Sequence, residues 1–269
     1  MKITDQLQTQ RFELKYLVSE RTAEGVRKFV SSILKLDPNG LNKPNFSYPI
    51  HSLYLDSPQL GLYWETVNGN KNRFKLRLRY YDDLPGSPVF FEIKRRQNDA
   101  ILKQRGAVKR ETVALVMAGA LPSDDLLVLN EPKHVAALRQ FVRLTKERCL
   151  QPKARVSYLR EAWIHPENNG LRVTIDRNVT CAPHSSLALD TTPRRAIHVF
   201  GNFCVVELKY TGRFPLWFAE LARAHGFRQC SAAKYVDGLS ALGEAPFSPA
   251  AEARQRSLDQ LLQPKEILS

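Results

Sequence analysis

The stretch Arg73-Phe-Lys-Leu-Arg-Leu-Arg-Tyr-Tyr81 decides how this chain folds, because cationic and apolar residues alternate along it. A period of two is the mark of a β-strand with one polar face and one face packed against a core. The cationic face carries Arg73, Lys75, Arg77 and Arg79, and the apolar face carries Phe74, Leu76, Leu78 and Tyr80. Since the apolar face must pack against other elements, the four cations point the opposite way.

Charged residues alternate in the same way on other predicted strands. Segments 88–95 and 100–105 follow on short connections, one of them the Pro85-Gly86 turn, which predicts an antiparallel meander. Further strands are predicted at 11–18, 51–55, 154–163, 171–177 and 203–210. The residues that share a face opposite the apolar ones are Glu13 with Lys15, Glu92 with Lys94, Lys103 with Arg105, Tyr158 with Arg160, Arg172 with Thr174 and Asp176, and Glu207 with Lys209.

Segments with helical periodicity separate these strands. Helices are predicted at 19–36, where Ser19 is the N-cap, and at about 58–68, 111–117, 132–148, 215–225 and 232–242. Together the elements indicate one α+β domain of about eight strands with helices packed outside. We predict that this domain spans residues 1–242 and that residues 243–269 form a polar C-terminal tail with a short helix at about 249–262.

The excess of basic residues in the composition predicts an anionic partner. The chain has 269 residues, with 40 Lys and Arg against 27 Asp and Glu, and a formal charge of +13. Nucleic acid, anionic lipid and small polyphosphates are the anions that could offset such a charge. A hydrophobic content of 43% is enough to form a core, which excludes a disordered basic tail.

The cysteine pattern and the absence of targeting signals lead us to expect a cytoplasmic protein. The four cysteines are widely spaced without a C-x-x-C pair, which argues against a zinc site or a disulfide framework. The N-terminus lacks the apolar region of a secretory signal. No apolar run approaches 18 residues, so we expect no transmembrane segment.

Two arrangements of the sheet satisfy the alternation of charge. An open sheet would expose its charged face to water, as antiparallel sheets often do. A sheet that closes on itself would instead gather the cations around a lumen, where they repel one another and their lysine pKa values fall until an anion binds. A chain of phosphates suits such a lumen, because arginine binds phosphate oxygens in pairs and lysine acts as a point charge. Interspersed glutamates would repel phosphate, so their role there is to hold a divalent cation.

These motifs resemble a known family. In chain order they are Glu13-Leu-Lys15, Lys75-Leu-Arg77-Leu-Arg79-Tyr-Tyr, Phe91-Glu-Ile-Lys94, Lys103-Gln-Arg105, Tyr158-Leu-Arg160, Leu171-Arg-Val-Thr-Ile-Asp176, Val206-Glu-Leu-Lys209 and Lys234-Tyr-Val-Asp-Gly238. Together they look like the polyphosphate polymerase domain of the vacuolar transporter chaperone (VTC) proteins, which belong to the CYTH-like triphosphate tunnel metalloenzymes. The likeness runs from about Arg11 to Leu242.

The resemblance implies an antiparallel β tunnel barrel that transfers the γ-phosphate of ATP to a growing polyphosphate chain with Mn²⁺ or Mg²⁺. The residues that it implies as catalytic are Arg77, Arg79, Lys94, Arg160 and Lys209. Those that it implies as substrate-binding are Lys15, Lys75, Lys103, Arg105, Arg172 and Lys234, and the implied metal ligand is Glu207. Glu13, Glu92 and Asp176 are either further metal ligands or ion-pair partners of cations, with Arg172 one candidate partner of Asp176. Ser231 stands where a second basic residue is expected on the closing helix.

Three functions are compatible with these residues. The first is polyphosphate synthesis from ATP, and the second is hydrolysis of inorganic triphosphate or a nucleoside triphosphate in the same tunnel. The third is non-catalytic binding of polyphosphate or RNA, although specific nucleic-acid binding is disfavoured because no helix carries a basic stripe. The predicted partners are ATP and inorganic polyphosphate, and any membrane association would come through a separately encoded membrane protein.

Overall fold

A computed structural model describes residues 11–98, 100–120, 127–128, 130–167, 170–192 and 194–262 of the chain. Within these ranges the strands form one antiparallel sheet of ten. They are β1 (Arg11–Val18), β2 (Lys35–Leu36), β3 (Tyr48–Asp56), β4 (Asn72–Tyr80), β5 (Pro88–Gln97), β6 (Ala100–Lys109), β7 (Gln151–Ile164), β8 (Arg172–Pro183), β9 (Ile197–His198) and β10 (Cys204–Thr211). Eight of them pair in the order β1-β10-β8-β7-β3-β4-β5-β6, while the short β2 and β9 pair with β7 and β8.

The sheet curls until its two edge strands, β1 and β6, approach each other. The Nζ atom of Lys94 on β5 lies 2.9 Å from Oε2 of Glu13 on β1, so an ion pair spans the seam between the two ends of the ladder. Among the described residues the hydrogen-bonded ladder ends at β1 and β6 and does not itself close. The predicted α+β fold, built on about eight antiparallel strands, is confirmed, with β2 and β9 as short additions.

Seven α-helices connect or cover the strands in the described part of the chain. They are α1 (Glu20–Val30), α2 (Gly61–Val67), α3 (Val113–Ala118), α4 (Pro132–Glu147), α5 (Leu216–Ala224), α6 (Lys234–Leu242) and α7 (Pro249–Leu262). Short 3₁₀ turns occur at Pro38–Gly40, Pro44–Phe46, Arg110–Thr112 and Ala245–Phe247. None of the helices in these ranges has both the length and the apolar character needed to cross a membrane.

The start of α1 follows the prediction, but its end does not. The Oγ atom of Ser19 accepts a hydrogen bond from the amide of Thr22 at 3.2 Å, so Ser19 is the N-cap. The prediction that this helix continues to residue 36 is wrong, because α1 ends at Val30. Beyond it the hydroxyls of two serines donate to carbonyls three residues earlier, and Lys35–Leu36 pairs with β7 as β2.

Helix α4 covers the outer face of β4, β5 and β6 and so determines which face looks inward. The ring centroids of Phe91 on β5 and Phe141 on α4 lie 4.9 Å apart, edge to face. Gly106 on β6 allows this close approach, because a Cβ atom there would lie 2.4 Å from Cγ of Leu138 and 2.8 Å from the carbonyl oxygen of His134. Since the apolar side chains of these strands pack under α4, the alternate charged residues face the interior.

Helices α1 and α5 cover the other side of the barrel over β1, β8 and β10. Val26 of α1, Val206 of β10 and Phe218 of α5 are fully buried in this second core. Next to it, the buried carboxylate of Glu161 lies 2.7 Å from both Arg27 and Arg177, which anchors α1 to the sheet. These outer ion pairs are structural, because the charged groups face the covering helix and not the interior.

Unlike those helices, α6 packs against the inner face of the sheet. The ring of Tyr235 on α6 stacks on that of Tyr54 on β3, with centroids 4.7 Å apart. The hydroxyl of Tyr235 donates to Oδ2 of Asp56 at 2.8 Å, and the same buried carboxylate accepts the backbone amides of Leu62 and Tyr63. Asp56 thereby ties α6 to β3 and α2, and the first residue of α6, Lys234, lies inside the barrel.

The C-terminal segment begins against the domain. Phe247 is buried in the same core as Tyr235, and its carbonyl oxygen accepts a hydrogen bond from Nζ of Lys153 at 2.6 Å. The helix predicted at about 249–262 is present as α7, Pro249–Leu262. The boundary placed between residues 242 and 243 stays a prediction.

Candidate functional site

Cross-strand pairing brings the predicted site residues onto one inner face. Residues directly opposite each other in an antiparallel pair point to the same side of the sheet. The paired residues of adjacent strands form rows across the inner face. Across β4, β5 and β6 the rows are Lys75–Lys94–Lys103 and Arg77–Glu92–Arg105. The other rows are Glu13–Lys209–Arg172 and Lys15–Glu207–Thr174 across β1, β10 and β8, and Tyr48–Arg160–Asp176 across β3, β7 and β8. Of the two arrangements that the sequence left open, the structure has the enclosed one.

Glu92 is the centre of one cluster of charges in this tunnel. Its carboxylate is 1% exposed, with Oε2 2.7 Å from Nη2 of Arg77, Oε1 2.6 Å from Nζ of Lys103, and Nε of Arg79 at 3.8 Å. Burial alone would raise the pKa of Glu92, but the three cations outweigh it and hold the pKa well below its usual range. Glu92 is therefore an ionised counter-ion that holds three predicted phosphate ligands in place.

Glu207 is the centre of a second cluster. Its two carboxylate oxygens lie 2.7 Å from the Nζ atoms of Lys209 and Lys234. Lys15 and Arg160 are farther away, at 3.8 Å and 3.7 Å. Burial opposes ionisation here as well, but these four cations lower the pKa of Glu207 well below its usual range.

Asp176 extends the second cluster towards β7. It is fully buried, and its Oδ2 atom lies 2.6 Å from Nη2 of Arg160 and 2.8 Å from Nζ of Lys234. Of the ion-pair partners predicted for Asp176, Arg172 or another cation, the structure has other cations, Arg160 and Lys234. Arg172 instead lies 2.7 Å from Oδ2 of Asp37, because the Pro38–Gly40 turn brings Asp37 to the start of β8.

Glu13 links β1 to β5 across the seam of the sheet. Its carboxylate lies 2.9 Å from Nζ of Lys94 and 3.2 Å from Nζ of Lys15, and these cations help to lower its pKa against the effect of burial. Lys15 therefore lies between Glu13 and Glu207, and it also donates to the carbonyl oxygen of Ala232 at 3.2 Å. In this way Lys15 links both acidic residues to the segment that precedes α6.

Lys75 differs from the other tunnel cations. No carboxylate of the described residues lies within 4 Å of its Nζ atom. Burial, together with the charges of Lys15, Lys94 and Arg73, lowers the pKa of Lys75 to about 7. Burial likewise lowers the pKa of Lys103 to about 7, although Glu92 opposes the shift. An anion placed beside these amines would restore their protons.

The interior is accessible to solvent near β5 and β6. Lys94 and Lys103 keep 40% and 41% of their side-chain surface accessible, although both lie on the inner face. The guanidinium of Arg105 on β6 lies 4.4 Å from the ring centroid of Phe90 on β5. The site is therefore a passage that a ligand can enter and not a sealed core.

Several buried polar atoms of the inner face lack a hydrogen-bond partner among the described groups. They are Nε of Arg79, Nε of Arg172 and Oγ1 of Thr174. A buried donor that stays unsatisfied costs about 1–3 kcal/mol. These atoms, added to an excess of cations over carboxylates, give the tunnel the chemistry of a polyanion-binding site.

Two tyrosines and one aspartate complete the site, and of these only Tyr158 was placed on the charged face from the sequence. The hydroxyl of Tyr54 accepts a hydrogen bond from Nη1 of Arg77 at 2.9 Å, and that of Tyr158 accepts one from Nη2 of Arg79 at 3.3 Å. The alternation of β3 could have placed Tyr54 on the inner face. Asp37 lies outside any strand pattern, so only the folded chain shows that it meets Arg172.

The acidic residues do not by themselves form a complete metal cage. Among the residues that the structure describes, no three His, Cys, Asp or Glu side chains converge on one point. Glu207 and Glu13 lie on either side of Lys15, so a hard cation bound by both would take the place of the Lys15 ammonium, with phosphate oxygens and water as its other ligands. The donor set fits a divalent ion that binds together with a phosphate substrate, and the assignment of Glu207 as its ligand stays a prediction.

Comparison with known proteins shows to which family the chain belongs. The model of the VTC domain matches residues 10–243. The chain is 21% identical over 225 residues to vacuolar transporter chaperone complex subunit 2 of Schizosaccharomyces pombe, covering 71% of this chain but only 31% of that relative. A structure of a presumed adenylate cyclase from Bacillus halodurans superposes with a TM-score of 0.48 and 14% identity, over 83% of this chain and 94% of the other. The chain therefore belongs to the VTC domain family.

Proposed function

We propose that this protein is a metal-dependent polyphosphate polymerase that transfers the γ-phosphate of ATP to a growing inorganic polyphosphate chain. The observation that carries the proposal is the convergence of cations from seven strands and α6 on one passage. Membership in the VTC domain family supports a role that involves polyphosphate.

The proposed mechanism is mainly positioning and charge neutralisation, because phosphoryl transfer needs little covalent chemistry from the protein. The residues that would act at the transferred phosphoryl group are Arg77, Arg79, Lys94, Arg160 and Lys209. Those that would hold the rest of the donor and the acceptor chain are Lys15, Lys75, Lys103, Arg105, Arg172 and Lys234. The carboxylates of Glu92 and Asp176 hold these cations in position before substrate binds.

A divalent cation, Mn²⁺ or Mg²⁺, would bind to Glu207, with Glu13 as a second oxygen ligand. The chemistry that it supplies when bound is neutralisation of charge on the phosphate oxygens. In the unliganded chain Lys209 and Lys234 occupy the oxygens of Glu207. Lys234 also lies 2.8 Å from Oδ2 of Asp176, so it would keep a carboxylate partner with a metal ion at Glu207, and Lys209 would be the lysine that contacts phosphate.

Hydrolysis is the second candidate, and the solvent accessibility of Lys94 and Lys103 favours it. Water that reaches this side of the tunnel could replace the acceptor phosphate, so that the enzyme releases orthophosphate from triphosphate. The same cations would serve both reactions, because polymerase and hydrolase differ only in the acceptor.

The test is to incubate the purified protein with ATP and Mn²⁺ or Mg²⁺ and to separate the products by size. We expect a long acid-labile polymer, which R77A and E207Q abolish, while R143Q on the outer surface of α4 serves as the matched control. Release of orthophosphate alone would assign the hydrolase instead. Binding of polyphosphate without turnover, unchanged in E207Q, would leave only a binding module.

We further infer that the protein acts in the cytoplasm with a separately encoded membrane partner. The S. pombe relative is named as a subunit of a complex, which supports assembly with other chains. Co-purification from a detergent extract, followed by identification of the bound proteins, tests this inference, and recovery of the chain alone would contradict it.

A further inference from the structure

The inner face changes from cationic to aromatic beyond Arg79. The cations Lys75, Arg77 and Arg79 are two residues apart along β4, and the next residue of the same alternation is Tyr81. On β5, Phe90 pairs directly with Arg79, so its ring lies on the inner face next to the last cation of this series. An anion bound along these cations would therefore have an aromatic surface beside one of its ends.

Three rings form this surface, hereafter the aromatic cluster, and they are Tyr48, Tyr81 and Phe90. The ring centroids of Tyr81 and Phe90 lie 5.9 Å apart, edge to face, and those of Tyr48 and Tyr81 lie 6.3 Å apart. The hydroxyl of Tyr48 accepts a hydrogen bond from Nη2 of Arg172 at 3.3 Å. The aromatic cluster therefore adjoins predicted phosphate ligands at two places, Arg79 and Arg172.

The cluster has the composition and the exposure of a surface on which a base can stack. The guanidinium of Arg105 lies 4.4 Å from the ring centroid of Phe90, and nucleobases bound by proteins stack on aromatic rings and on guanidinium planes. Phe90 and Tyr81 are half-buried, and the turn after them is exposed at residues 83–86. By contrast, the ring of Phe91, which packs in the outer core, is fully buried.

We propose that the aromatic cluster, with the guanidinium of Arg105, binds the nucleobase of a nucleoside triphosphate whose phosphates lie along Arg77 and Arg79. The choice of ligand rests on the proposed function, in which ATP is the donor, but the cluster acts in binding and not in phosphoryl transfer. Tyr81 is two residues beyond Arg79, a rise of ~7 Å in an extended chain, which the ribose can span. Inorganic tripolyphosphate has no group that could contact the cluster.

The test compares the affinities of the variant Y81L/F90L for ATP and for inorganic tripolyphosphate, by calorimetry in EDTA so that no metal-dependent turnover occurs. Leucine keeps the side chain apolar but has no π face. We expect the affinity for ATP to fall about tenfold, as the loss of a stacked base implies, with the affinity for tripolyphosphate unchanged. The matched control is F203L, because Phe203 is 54% exposed and precedes β10, and it should bind both ligands as wild type does.

Equal losses for ATP and tripolyphosphate would mean that the rings only support the cations, and would overturn the proposal, as would no loss for either ligand. If the double variant fails to fold, F90L alone should show a smaller loss that is again confined to ATP, and equal losses would overturn the proposal there too.

A fluorescent nucleotide gives a second measurement that needs no variant. Stacking quenches 2-aminopurine, so the fluorescence of 2-aminopurine riboside triphosphate should fall when it binds to wild type. Binding without quenching would overturn the proposal.

The outcome of this test is separate from that of the polymerase assay. A protein that makes no polymer but shows the loss confined to ATP refutes the proposed function and leaves this inference intact. Polymer formation together with equal losses for both ligands would do the reverse.

Discussion

Replacement of Glu92 by glutamine should make the stability of this protein depend on phosphate. Glu92 is buried between Arg77 and Lys103, at 2.7 Å and 2.6 Å, with Arg79 at 3.8 Å. Glutamine has nearly the same size but no charge, so the two arginines lose their counter-ion in the barrel interior. Lys103, whose pKa burial has already lowered to about 7, can release its proton and reduce the repulsion.

The size of the effect follows from the loss of a buried counter-ion. Removal of one partner of a buried ion pair costs about 3–5 kcal/mol. Because Lys103 can become neutral and water reaches this side of the tunnel, we expect the lower end, about 3 kcal/mol. For a chain of this length that corresponds to a fall in Tm of about 6–12 °C. Polyphosphate should restore most of the lost Tm, since its oxygens replace the missing carboxylate.

Differential scanning calorimetry of wild type and E92Q, with and without tripolyphosphate, measures both effects. The matched control is E131Q, because Glu131 is 56% exposed and pairs with Lys133 at the surface, where an ion pair contributes little. We expect a larger ligand-induced rise in Tm for E92Q than for wild type. A fall of less than about 2 °C without ligand, or equal ligand-induced shifts, would refute the assignment of Glu92 as the counter-ion of the cluster.

Two further predictions concern other parts of the molecule. The affinity for tripolyphosphate should fall as the pH rises from about 6.5 to 8.5, because Lys75 has a pKa of about 7 and attracts phosphate only when protonated. In a calorimetric titration series, K75M should show a weaker dependence of affinity on pH. An unchanged dependence would count against the role of Lys75. G106A should lower the free energy of unfolding, measured by urea titration, by about 1–3 kcal/mol, because its Cβ would overlap Leu138. An unchanged free energy of unfolding would mean that α4 can shift outward at no cost.

The alternation of charge along β4 predicted the composition of the inner face correctly. Arg77 and Lys75 lie inside because Leu76 and Leu78 pack outward under α4, which is a local consequence of strand geometry. The same argument placed Glu207 beside Lys209. Local patterns therefore determined which face each residue occupies.

Contacts between distant segments could not be predicted in this way. The curling of the sheet joins Glu13 to Lys94, and no sequence spacing indicates how far apart those strands lie in the barrel. Arg172 was one candidate partner of Asp176, with another cation as the alternative. The fold pairs Asp176 with Arg160 and Lys234 and brings Asp37 to Arg172 from another segment. The length of α1 was overestimated because the pairing of Lys35–Leu36 with β7 depends on tertiary structure and not on local propensity.

The carboxylates that bind the tunnel cations also compete with any anion that enters the tunnel. Each of the cations that has such a carboxylate partner is held next to it by the fold, at a high effective concentration. A chloride or a single orthophosphate therefore gains little by replacing the carboxylate at one cation. A polyvalent chain displaces several of these partners together, and its successive contacts reinforce one another. If the passage binds polyphosphate as proposed, it selects anions by valence, and small anions leave it open for the polymer.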